Sequence, residues 1–121
     1  HIMTDSRFTK EKVVEKLGVP SKNITVVHLG VDHKRFYPKQ TEKEDVVLTV
    51  SSEVPYKNIE RLIKAFAIVK KKIPKAKLVK IGKSNWPGAR ETLFQLAEKS
   101  CVDVEFKDEV VNLAQEYHKA K

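Results

Sequence analysis

Cysteine occurs once in these 121 residues, at Cys101. A lone thiol excludes an internal disulfide and any cysteine-rich metal site, and it suits a reducing, cytoplasmic compartment. Methionine and tryptophan also occur once each, as Met3 and Trp86. No apolar run approaches the ~18 residues of a membrane span, and no secretory signal is recognisable. Zinc-finger spacing and aromatic–basic interleaving are missing too, so the sequence carries no nucleic-acid signature. Scarce Cys, Met and Gln beside abundant Lys and Glu form a thermophile-like profile.

What is present reads as a globular α/β chain. Forty per cent of residues are apolar and 33% charged, with a net charge of +8. A chain of this length forms one domain, or one and a fraction, and buries roughly two-thirds of its unfolded surface. The positive charge is compatible with an anionic substrate, a nucleic acid or a membrane surface. Its one local run, Lys70-Lys71-Lys72, falls at the end of a predicted helix, where cations complement the helix dipole.

The pattern centres on Val46–Ile73. Val46, Val47, Leu48 and Val50 form a short apolar run, expected of a parallel strand covered on both faces. Ser51-Ser52-Glu53-Val54-Pro55 is a turn. From Lys57, residues Ile59, Leu62, Ile63, Phe66 and Ile73 recur at helical spacing. A polar turn leading into a helix N-terminus binds anions through free amides and about half a positive charge of dipole. Lys57 adds a full charge there.

Upstream, His1-Ile2-Met3 resembles a vector scar around a start codon. Residues 8–18 read as a helix with Thr9 as N-cap, Phe8 stapled onto Val13 and Gly18 as its stop. Asn23–Val27 reads as a strand, followed by a loop pivoting on Gly30; residues 34–45 read as a linker. Downstream, Pro74 stops the long helix, and a strand is expected over Ala76–Ile81. A polar loop follows over 82–88, then a helix over Ala89–Lys99 with Leu93, Leu96 and Ala97 inward. A strand over Val102–Phe106 and a helix built on Val110, Leu113, Ala114 and Tyr117 complete the order. Strands alternating with helices imply right-handed crossovers and a parallel sheet, about half of a doubly wound fold with open edges.

These motifs, taken in order, resemble the middle of group 1 (family 4) glycosyltransferases of the two-domain GT-B architecture. The family's N-G-V-D-x-x-x-F-x-P segment is matched at Gly30, Val31, Asp32, Phe36 and Pro38. Its G-R-x-x-P-x-K-G/N and L-x-x-A-F segments are similar to Ser51–Asn58 and Leu62–Phe66. P-x-A-x-L-x-x-x-G matches Pro74, Ala76, Leu78 and Gly82, and V-x-F-x-G-x-V matches Val104, Phe106 and Val110, with Asp108 where glycine is usual.

The resemblance implies a Rossmann-like donor domain over 46–121, a linker over 34–45, and the end of an N-terminal domain over 4–33. It implies retaining transfer of a sugar from a nucleotide-diphosphate donor to a sugar or lipid acceptor, with no metal or other cofactor. By similarity, Lys57 contacts the donor diphosphate beside Ser52 and Ser51, which replace the family's arginine and glycine. Arg61 or Lys83 is then the candidate to compensate for the missing arginine. Gly82 and Lys83 fall in the loop beside the donor, Asp108 and Val110 near the nucleobase. Trp86 either stacks on a ring or packs on a helix, and His28 stands where the family often has asparagine. The family's two glutamates separated by seven residues would follow Lys121, so this chain alone is expected to be inactive. Peripheral membrane association of the parent and self-association through the sheet edges are further expectations. The rival expectation is a small non-enzymatic basic α/β domain that binds nucleotides, nucleic acid or an acidic partner.

Overall fold

The computed structural model describes all 121 residues, which divide into two compact units, His1–Phe36 and Tyr37–Lys121. The first unit is a two-stranded parallel sheet of β1 (Ile2–Thr4) and β2 (Ile24–Val26) with helix α1 (Arg7–Leu17). Residues that read as a scar therefore pair as a strand, Ile2 opposite Ile24 and Thr4 opposite Val26. Three residues are too few to show a period, so no sequence pattern announces this strand.

Ser6, not Thr9, caps α1: its hydroxyl accepts from the Thr9 amide at 3.1 Å. Phe8 thus lies inside the helix, 68% exposed, and is no staple. Gly18 ends α1 in the left-handed conformation as expected. Gly30 has no positive φ and is no pivot; the chain turns instead at Asp32, whose carboxylate accepts from the Lys34 amide.

The second unit carries the larger sheet, of three strands. Its strands β3 (Val46–Val50), β4 (Lys77–Ile81) and β5 (Val104–Lys107) are all parallel, in the order β3-β4-β5. Helices α2 (Ile59–Lys72), α3 (Ala89–Lys99) and α4 (Leu113–Lys119) follow them in turn. This is half of a doubly wound, Rossmann-like sheet, as the alternation predicts.

The strand covered on both faces is β4, with Leu78, Val79, Lys80 and Ile81 buried. β3 instead lies at an edge, leaving Val47 and Val50 partly open. A continuous apolar run marks burial but does not say which strand is central.

Ile59, Ile63 and Phe66 of α2 pack with Leu78, Leu93, Ala97 and Val102 into one core, with Leu62 and Leu96 at its margin. Each such large side chain contributes roughly 1.5–3 kcal/mol, which fixes both helices to the same face of the sheet. Ile73 falls outside α2 and is half exposed, so the buried apolar stripe ends at Phe66, about two turns earlier than its spacing suggests. Val102 is buried but precedes β5, and Val110 precedes α4.

Candidate functional site

All three strands of the larger sheet point their carboxyl ends the same way, and in open parallel sheets ligands bind there. Three loops meet at that end: 51–58 after β3, 82–88 after β4, and 108–112 after β5. Ser51, Ser52, Lys57, Gly82, Lys83, Asp108 and Val110, which the sequence nominates for the donor, all lie on these loops, while Arg61 lies on α2.

The first loop is a tight one. Pro55–Lys57 make a single 3-10 turn, and Asn58 then takes the left-handed conformation (φ 57°) before α2 begins at Ile59. Lys57 therefore precedes the helix rather than opening it. Its side chain is exposed, lies 5.4 Å above the Tyr56 ring and has no carboxylate partner. No side chain caps α2; the Arg61 and Leu62 amides bond back to the Asn58 carbonyl at 3.1 and 3.3 Å, which leaves the Ile59 and Glu60 amides, two and three residues after Lys57, without a backbone partner. Arg61, one turn on, sits exposed on α2.

Ser51 and Gly82 are pressed together. The Ser51 amide donates to the Ile81 carbonyl at 2.9 Å, and a Cβ on Gly82 would clash with the Ser51 carbonyl oxygen. Gly82 also holds φ at +129°, a value that glycine alone adopts freely. This close approach is the physical need for glycine there. The Ser51 hydroxyl is buried and makes no hydrogen bond, and Ser52 is half-buried. Lys83 is exposed and paired with Glu109 at 2.6 Å, which raises its pKa. Val110 is half-buried on the third loop, and Asp108 is exposed.

The structure adds a cluster that periodicity and motif spacing do not reveal. Glu53 and Lys80 have wholly buried side chains, with Lys80 Nζ donating to Glu53 Oε1 at 2.7 Å and to the Gly82 carbonyl at 2.5 Å. Arg90 donates to the same Glu53 oxygen through Nε at 2.6 Å and to Asp108 Oδ1 through Nη2 at 2.8 Å. Its guanidinium lies 4.9 Å over the Phe106 ring. Burial pushes the Glu53 carboxyl up, but Lys80, Ser84 and Arg90 outweigh it and hold the group below its ordinary value. The carboxylate is therefore ionised at neutral pH, with Oε2 buried and unbonded. A lysine inside the otherwise apolar, buried run Leu78–Ile81 was the one available signal.

Beside this cluster a groove of about 390 Å³ opens between residues 53–60 and 86–93. Pro55, Ile59, Trp86 and Leu93 give it apolar walls, and Glu53 forms part of its floor. Trp86 stays 54% exposed along it, so the ring is neither buried against α3 nor free of the fold. His28 lies exposed in the smaller unit. No helix is long and apolar enough to cross a membrane.

Comparison with known proteins places this geometry. The fold is similar to the crystal structure of a S. aureus TarM mutant in complex with Fondaparinux, alpha-GlcNAc-glycerol and UDP. The TM-score is 0.74 at 19% sequence identity, over 89% of this chain and 21% of that one. The chain thus spans about a fifth of that neighbour's length. No curated protein matches the chain. Residues 31–121 match the family described as Glycosyl transferases group 1, which takes in the whole parallel sheet and all three loops at its carboxyl end. The chain belongs to the group 1 glycosyltransferases, of GT-B fold.

Proposed function

We propose that the carboxyl end of the β3-β4-β5 sheet is one wall of a nucleotide-sugar donor site, in an enzyme that transfers the sugar with retention at the anomeric carbon. The observation that carries this reading is an unpaired lysine beside an uncapped helix N-terminus. Lys57 is exposed and without a carboxylate, and the unbonded Ile59 and Glu60 amides of α2 follow it closely in the chain. A cation and a helix dipole converging on one point stabilise a diphosphate, including the charge that develops on it as the glycosidic bond breaks.

Gly82 brings the second loop against Ser51, so the diphosphate and the rest of the donor would share one cleft with Lys83, Asp108 and Val110 at its margin. Of the two candidate compensating cations, Lys83 is already paired with Glu109, which leaves Arg61 the freer one. Ser52 supplies a hydroxyl but neither charge nor a bidentate fork. The neighbouring TarM structure was solved with UDP, in keeping with a nucleoside diphosphate as the ligand. No metal is invoked, since Lys57 and the helix supply the positive field. Turnover would draw on segments outside these residues, and the chain by itself is expected to bind donor weakly and transfer negligibly.

Calorimetric titration with UDP, GDP and ADP, each against its nucleoside, tests this. Binding of a diphosphate that weakens about tenfold or more in Lys57→Ala, with the nucleoside unaffected, is the expected result. Equal binding of wild type and Lys57→Ala overturns it. Tight binding of single-stranded nucleic acid with a steep salt slope would instead favour a basic-surface role.

A further inference from the structure

We propose that Arg90 is the positioning residue of this site: its guanidinium fork locks the three loops at the sheet's carboxyl end into one arrangement, acting through Glu53 and Asp108. The inference rests on the donor-site reading above and goes beyond it to a residue on α3.

Glu53 lies on the loop after β3, Gly82 on the loop after β4, and Asp108 directly after β5. Arg90 reaches all three, at 2.6 Å to Glu53 Oε1, 3.4 Å to the Gly82 carbonyl and 2.8 Å to Asp108 Oδ1. Neighbouring strands lie about 4.8 Å apart, so β3 and β5 stand about 10 Å apart across β4 and share no backbone hydrogen bond. A side chain must span that gap, and a planar group with five donors does so where an ammonium cannot. The ring of Phe106 beneath the guanidinium fixes its plane.

The same contacts exclude a direct phosphate ligand. Two carboxylates already neutralise Arg90, and its side chain is only 19% exposed. The sheet itself does not depend on it. Ser51 to Ile81 and Gly82 to Lys107 are joined by backbone hydrogen bonds of 2.9 and 2.8 Å, which hold adjacent strands together in its absence. Removing the fork therefore frees residues 53 and 108 from each other while leaving the strands paired.

The test uses the 121-residue chain as Arg90→Lys, Asp108→Asn and the double variant, with UDP titrated by amide chemical shifts under conditions where each is folded. Arg90→Lys keeps the net charge, so an electrostatic loss is not built into it. The expected result is a fivefold to tenfold loss of UDP affinity in each single variant. The double variant should lose no more than Arg90→Lys, because both break one linkage. In the ligand-free Arg90→Lys protein, the amides of Gly82, Val54 and Glu109 should shift together. Wild-type affinity in folded Arg90→Lys, with only its melting temperature lowered, assigns Arg90 a merely structural role and overturns the proposal. So do losses that multiply in the double variant. If wild type binds no UDP, the donor-site reading falls by itself, and the ligand-free amides still decide: concerted shifts support the coupling, and shifts confined to residues around 90 overturn it.

Discussion

Lys80 is the residue whose surroundings most constrain this sheet. It is a lysine side chain with no solvent contact on the central strand, and it is tolerated because Glu53 and the Gly82 carbonyl accept from it at 2.7 and 2.5 Å. The desolvation cost of such a pair is large, and removing Lys80 leaves the buried Glu53 carboxylate with Arg90 as its one remaining partner. Lys80→Ala should destabilise the chain by about 3–5 kcal/mol, whereas Glu53→Gln with Lys80→Met should recover most of that loss. Urea denaturation of both variants checks this; equal stability of Lys80→Ala and wild type would show that the pair contributes nothing. Neither residue is legible as a site member from sequence. Lys80 looks like one more lysine in a basic chain, and Glu53 like a turn residue, because ion pairs across 27 positions leave no periodicity. The exposure of Lys57 near a helix N-terminus was legible from local pattern, although that pattern starts the helix at Lys57 and the structure starts it at Ile59.

At the scale of elements, the helices were readable and their ends less so. The boundaries of α3 match the expected Ala89–Lys99, because Leu93, Leu96 and Ala97 recur at a clear period. Its termination was not foreseen. Cys101 takes a left-handed conformation (φ 54°), with its amide bonded to the Glu98 carbonyl at 3.0 Å. Val102 bonds to the Ala97 carbonyl at 2.9 Å, and both of these side chains are buried. This is a Schellman cap with its hydrophobic contact, built on a residue that favours other conformations. Cys101→Gly should accordingly raise stability by about 1 kcal/mol, read as a higher melting temperature. A lower melting temperature would mean that the cysteine side chain contributes packing worth more than the strain. The start of α2 was displaced for a related reason: Asn58 turns left-handed and forces a 3-10 turn ahead of the helix. That moves Lys57 out of α2 but keeps it beside the first free amides.

Across the larger unit, the chain's last residues close back onto the beginning of its sheet. The Lys121 amide donates to the Val46 carbonyl at 3.3 Å, and Glu44 donates to Lys119 at 2.9 Å. Asp45 receives both Lys121 and Lys75, and these two ammonium groups hold its carboxyl down at about 2, against an ordinary value of 3.8. A carboxyl depressed in the folded state stabilises fully above pH 3.8, and that stabilisation drains away as the pH falls towards 2. Asp45→Asn should therefore flatten the pH dependence of stability between about pH 4 and 2 while leaving the neutral fold intact. An unchanged acid limb in thermal melts would remove Asp45 from that role. The parallel sheet, its crossovers and its half-Rossmann character all followed from strand–helix alternation. Which strand is central did not, because register and order depend on pairing between distant segments that a single sequence does not encode locally.

The central claim is that an anion docks at the carboxyl end of this sheet, against Lys57 and the first turn of α2. Amide chemical-shift mapping with inorganic pyrophosphate, at low and moderate salt, locates that anion directly. The account predicts the largest shifts at residues 51–60 and 82–83, all lost in Lys57→Ala. Shifts centred on Lys70–Lys72 at the far end of α2, or a pattern indifferent to Lys57→Ala, would contradict it.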